Sequence, residues 1–201
     1  MKKTLLFIFL ISNLTIFSQE DYQIEIDGKK YNIELDKSYT LKINNKNAEV
    51  SVTQKDTLTY IDDKISFKYL KEFNIATTTI EAGIEQLMLM TAEGSGIIIQ
   101  KYDGINPTFL NEMMINEVTK ESINYGFELQ RQDYDYILKS GQKIRINKAV
   151  LTYRSDVNIY EVTSLGSRDE GVLFMSMEMI DSYNSKGKKL IKMFWETLEV
   201  F

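Results

Sequence analysis

The chain has no cysteine, no histidine and a single proline among its 201 residues. Without imidazole or thiol, the common zinc sites, the Ser-His-Asp triad and the cysteine nucleophile are all excluded. The missing cysteine also rules out disulfide staples, so stability has to come from packing. It equally removes the acylated cysteine that a bacterial lipoprotein carries after its signal. The chemistries that remain use paired carboxylates, lysine, tyrosine or oxygen-ligated metals. That inventory points away from an enzyme, and no cofactor is expected. Basic charge is short too: the net charge is −5, with no basic stripe to neutralise phosphates, so nucleic acid is not an expected partner. Disorder is excluded as well, because glycine and proline are few and 43% of the residues are hydrophobic.

The most informative segment is the beginning. Lys2 and Lys3 precede a short apolar core over residues 5–17, and Ser18 follows as a small residue at which a signal peptidase can cut. The apolar stretch is shorter than the ~20 residues that span a bilayer. Residues 1–18 are therefore expected to be an export signal. The remainder, 19–201, is expected to be released to the periplasm or the medium without a stable membrane anchor.

From Tyr22 to Tyr60 apolar residues alternate with a period of two. Asp27-Gly28 is suited to a tight hairpin turn, and a second turn-prone run covers Asn44, Asn45, Lys46 and Asn47. The pattern predicts an N-terminal β meander over 19–62, docked as an extension on a main domain over 63–201. Beyond Asp62-Asp63 the strands become apolar almost throughout, as in 86–90, 96–99 and 172–177. Strands of that kind are buried on both faces, which predicts covering layers above and below. Turns at 93–96 and at Asp156-Val157-Asn158 predict serial hairpins and a largely antiparallel sheet. Asn106 as cap, Pro107 at the first helical position and Gly126 as stop predict a helix whose inner stripe is Phe109, Leu110, Met113, Met114 and Val118. A second helix is expected from about Lys188, with Leu190, Ile191, Phe194, Trp195 and Leu198 facing the sheet.

From about Ile65 to Phe201 this order of elements resembles the PsbP-like family, which shares its fold with the Mog-type nuclear-import factor. The residues that carry the likeness are Ile65-Ser66-Phe67-Lys68-Tyr69, the strand pair 86–92 and 96–102, and Asn106-Pro107-Thr108-Phe109-Leu110 opening the long helix. The core strand Lys148-Ala149-Val150-Leu151-Thr152-Tyr153 and the final strand and helix complete it. After Tyr69 the chain has Leu70 and Phe73 where the family favours an aromatic-Pro-x-x-Trp run. The resemblance implies an α+β fold, a central, mostly antiparallel sheet with helices on both faces in an α/β/α sandwich. Members range from photosystem extrinsic subunits to bacterial envelope proteins, and no functional residue transfers.

Four groups of residues could carry chemistry. Met88 and Met90 share one strand face, and Met175, Met177 and Met179 another. Thioethers so spaced either bind Cu(I) or fill an irregular core. With Phe109, Met113 and Met114, residues Met88, Met90, Met175 and Met177 could instead line a pocket for a small apolar ligand. Asp133 and Asp135 fall on one face if extended, as an acid-base pair or a hard-cation site would, or as a solvated edge. Lys186, Lys188 and Lys189 open the last helix, where positive charge opposes the helix dipole. Either an anionic partner or simple solvation accounts for them. Gly94-Ser95-Gly96 lacks the lysine of a phosphate loop. The reading is an exported, non-enzymatic binding module for another envelope or secreted protein, or alternatively a carrier of a small apolar ligand.

Overall fold

A computed structural model describes residues 22–180 and 185–201; the expected export signal lies outside them. The chain divides into two compact units, Met1–Gln54 and Lys55–Phe201. In the first, β1 (Tyr22–Ile26) pairs with β2 (Lys29–Ile33) and β3 (Ser38–Ile43) with β4 (Lys46–Ser51). Each turn has two residues at positive φ, Asp27 and Gly28 in one and Asn44 and Asn45 in the other. Those residue types tolerate that region, and its twist matches the flanking strands. Here the expected meander proves to be two separate hairpins, because β2 and β3 share no ladder. Asp36, also at positive φ, reverses the chain between them and donates its N–H to the Val52 carbonyl at 2.9 Å.

The second unit runs β5 (Thr57–Ile61), β6 (Ile65–Leu70), β7 (Ala76–Glu81), β8 (Ile84–Met90) and β9 (Gly96–Asp103), then a 3-10 turn (Pro107–Phe109) and α1 (Asn111–Tyr125). It continues through β10 (Glu128–Arg131), β11 (Tyr134–Ile137), β12 (Lys143–Tyr153), β13 (Asp156–Ser167) and β14 (Glu170–Ile180) to α2 (Ser185–Thr197) and β15 (Glu199–Val200). Eight strands form one antiparallel sheet in the order β10-β12-β13-β14-β9-β8-β7, with β11 also paired to β12. A three-stranded sheet, β15-β6-β5, stands apart from it. Since β5 is laddered to β6, the second unit begins at Lys55, ahead of the Asp62-Asp63 break. Between β12 and β13 the turn is Arg154-Ser155, with Arg154 at φ 55°, and Asp156-Val157-Asn158 is already in strand.

Alternation along β14 sends Val172 and Phe174 into one core and Leu173 and Met175 into another. The first core joins β6, β8, β9 and β14 to Leu190, Ile191, Phe194, Trp195 and Leu198 of α2. The second gathers Tyr102, Ile115, Leu151, Val162 and Leu173, with α1 lying over β12 and β13.

The expected α/β/α sandwich, with helices on both faces, does not form. Strands hold 56% of the described residues, α-helices number two, and the architecture is mostly β, built on the eight-stranded sheet. Apolar strands require cover but do not specify its kind. Part of it here comes from strands of the small sheet, such as Ile65 and Phe67 of β6.

Helix α1 is also rotated from the expected stripe. Asn106 caps the 3-10 turn, accepting from the Thr108 N–H at 3.0 Å, and the α-helix starts only at Asn111. A 3-10 turn advances more steeply than an α-helix, so the phase read from Pro107 onward slips. The buried positions are Ile115 and Thr119, while Leu110, Met114 and Val118 pack beside them. Thr119 reaches the interior because its hydroxyl donates to the Ile115 carbonyl at 2.8 Å.

Candidate functional site

The structure does not bring all seven residues proposed to line an apolar pocket to one place, although Met114, Met175 and Met177 meet at the second core. Phe109 and Met113 face solvent, 69% and 57% exposed, as the slipped helix phase dictates. Met114 and Met177 pack against the second core, and Met175 is buried in it. Strand register then sets the remaining spacing. Met88 and Met175 both pair with Ile98, and Met90 and Met177 both pair with Gly96, all on one sheet face. The methionines of β8 and β14 are thus two strands apart, ~10 Å between backbones. Met90 lays its sulfur over Gly96, where a Cβ would otherwise stand.

What this arrangement leaves is an open end of the large sheet. β7 is its terminal strand and, among the described residues, is hydrogen-bonded on one side only, to β8. All six of its residues are exposed, including Ile80 at 51%. From Ala76 to Thr79 the pairing is regular and the strand carries no charge or proline; a bulge at Ile80 and the charge of Glu81 end it. Natural edges are normally blunted by those very devices along their length. Beside the edge, Met88 and Met90 are half-buried, with Ala76 paired to Met88 and Thr78 to Gln86. Gln100 donates to Gln86 at 2.9 Å, and Tyr102 donates to Gln100 at 2.6 Å, so the polar groups under this surface are held in place.

Several part-buried charged groups elsewhere are paired. Lys101 donates to Tyr60 at 3.0 Å and to Glu85 at 2.9 Å, and pairs with Asp62, which also accepts from Tyr60 at 2.7 Å. Burial works against the charge of Asp62, but Lys101, Tyr60 and the N–H groups of Ile65 and Lys64 outweigh it and hold the carboxyl below its usual range. Burial likewise opposes the Lys101 ammonium, but Asp62, Tyr60 and Glu85 outweigh it and raise it above its ordinary value. Lys64 binds Asp103 at 2.7 Å and Glu170 at 3.1 Å, beside a cleft of about 350 Å³ between the β13–β14 turn and Val200-Phe201. The charged groups Lys64 and Glu170 in that cleft are therefore already paired.

Glu161 is buried but accepts from Tyr134 at 3.0 Å and Ser176 at 3.2 Å and pairs with Lys148 at 3.1 Å. Ser176 in turn accepts from the Trp195 indole at 3.3 Å, which ties β13 and β14 to α2. Asp133 and Asp135 do not converge. Asp133 binds Arg131 and the Lys148 N–H, whereas Asp135 binds Lys143 and Arg145. Among the described residues, no three of His, Cys, Asp and Glu gather so as to hold a metal, and no helix is long and apolar enough to cross a membrane.

No protein-family model matches the chain, and no curated protein is found to be similar to it.

Proposed function

We propose that the protein is a non-enzymatic binding module, exported to the periplasm or the medium, that takes an extended segment of another envelope or secreted protein along β7. The observation that carries this reading is the six-residue terminal strand, exposed throughout and, among the described residues, hydrogen-bonded on one side only. Strand addition uses such an edge, with main-chain bonds for affinity and side-chain contacts for choice of partner. Magnitudes show that both are needed. The regular stretch, Ala76 to Thr79, provides only a few backbone bonds at about 0.5–1.5 kcal/mol net each, against an association cost of about 4–15 kcal/mol. The half-buried Met88 and Met90, with Ile80, must contribute the rest, and adaptable thioethers suit that task. The signal pattern of 1–18 supports the exported setting.

A photo-crosslinking side chain placed at Thr78 in the exporting cell tests the proposal. A discrete adduct is expected there, absent when the probe replaces Lys120 on the outer face of α1, and weakened by Met88→Ala with Met90→Ala. The same adducts at both positions, or none at Thr78, would overturn it.

A further inference from the structure

We infer that a second surface, the lysine-lined groove between α2 and the outer face of the small sheet, receives an acidic polypeptide segment. Two clefts adjoin here and share Thr57 and Lys68. One, of about 460 Å³, is lined by Lys55, Leu58, Thr59 and Lys68. The other, of about 400 Å³, is bounded by Lys68 with Lys189, Lys192 and Met193 of α2. Alternation along β5 and β6 explains the location. Tyr60, Phe67 and Tyr69 turn inward to the core, so Thr57, Thr59 and Lys68, on the opposite face, turn outward. The C-terminal end of α2 is held beside them by the Lys68 N–H donating to the Thr197 hydroxyl at 2.9 Å.

Basic charge gathers in this groove although the chain as a whole is acidic. Lys55, Lys68 and Lys189 are exposed and have no ion pair among the described residues, in a chain whose net charge is −5. Of the two carboxylates in the groove, Asp56 is held by Lys71 at 2.8 Å, and Glu196 has only a loose contact with Lys192 at 3.8 Å. Lys186 and Lys188 extend the same charge along α2, both exposed. An unfavourable cluster of cations at the start of a helix gains when an anion covers it.

The shape selects the class of anion. The lysines are strung along two joined grooves rather than aimed at one point, which suits a run of carboxylates on an extended chain better than a single phosphate. Met193 of α2 offers a contact to its apolar side chains. The surface is concave and the molecule acidic, which argues against a flat anionic membrane. This surface is distinct from β7, so it stands or falls independently of the strand-edge reading.

The test is fluorescence anisotropy of the purified chain with a labelled peptide of alternating Glu and Thr. A Gln-for-Glu peptide and phosphatidylglycerol vesicles serve as comparison arms. Salt-sensitive binding of the acidic peptide alone is expected. Lys68→Gln with Lys189→Gln should weaken it about fivefold, a change of about 1 kcal/mol. Lys120→Gln and Thr78→Lys should leave it within about twofold, well under the ~1.4 kcal/mol of a tenfold change. All of these side chains are exposed, and equal melting temperatures confirm intact folds. Equal loss in Lys120→Gln, no loss in the double variant, no binding of the acidic peptide, or binding to vesicles in its place would each overturn the inference.

Discussion

Asp62 shows what a single residue does in this molecule. Its carboxylate terminates the β5–β6 turn by accepting the Lys64 and Ile65 N–H groups, both at 2.9 Å, and it neutralises Lys101, whose side chain is only 11% exposed. Removing it would leave that ammonium with Glu85 alone as its countercharge. Asp62→Asn is expected to lower stability by about 1–3 kcal/mol at neutral pH, measured by urea unfolding. The pH sign follows from the depressed carboxyl. Its contribution is complete above the unfolded aspartate value near ~4 and is lost as pH falls through the lower folded value. The stability difference between wild type and Asp62→Asn should therefore shrink on acidification through that window; a constant difference would show that the pairing does not set it. Gly96 makes the steric counterpart. A Cβ there would strike the Leu89 carbonyl and the Met90 sulfur, so Gly96→Ala should cost about 2 kcal/mol or more, read by thermal melting.

At the scale of elements, α1 separates what a helical pattern specifies from what packing selects. Gly126 marks the C-terminal boundary as its type requires, taking φ 109°, whereas Asn106 and Pro107 open the preceding 3-10 turn rather than the helix itself. The inner face could not be read the same way, because one 3-10 turn displaces the phase and a threonine occupies a core position. Substitution distinguishes the two faces. Ile115→Ala is expected to cost about 2–5 kcal/mol and Met113→Ala under about 0.5 kcal/mol in equilibrium unfolding. Equal costs would mean that the helix presents the other stripe. By contrast the inner face of α2 was legible, since Leu190, Ile191, Phe194, Trp195 and the Leu198 that follows the helix recur at helical spacing and all are buried, although the helix starts at Ser185 rather than near Lys188. Its lysine cluster was visible in the sequence, whereas Lys55 and Lys68, far away along the chain, could not be joined to it before the small sheet folded beside the helix.

At the scale of the molecule, all ladders fall within one unit or the other. Residues 55–201 should therefore fold alone, keeping a cooperative transition in the fluorescence of Trp195, the single tryptophan. Residues 22–54 alone, which lack the tryptophan, should show no cooperative thermal transition by circular dichroism, because isolated two-stranded hairpins are marginal in water. A fragment 55–201 without that transition would refute the division. Composition had already excluded thiol and imidazole chemistry, and local rules placed the hairpin turns, because a turn at Asp27-Gly28 depends only on neighbouring backbone angles. Periodicity also identified strands hidden on both sides. It could not say whether helices or other strands would hide them, since burial registers apolar area and not the element supplying it. Nor could it reveal that β7 would end the large sheet. A strand of alanine, threonines and isoleucine reads the same in the middle of a sheet as at its rim; only the order in which distant strands pair leaves one side of it without a partner among the described residues.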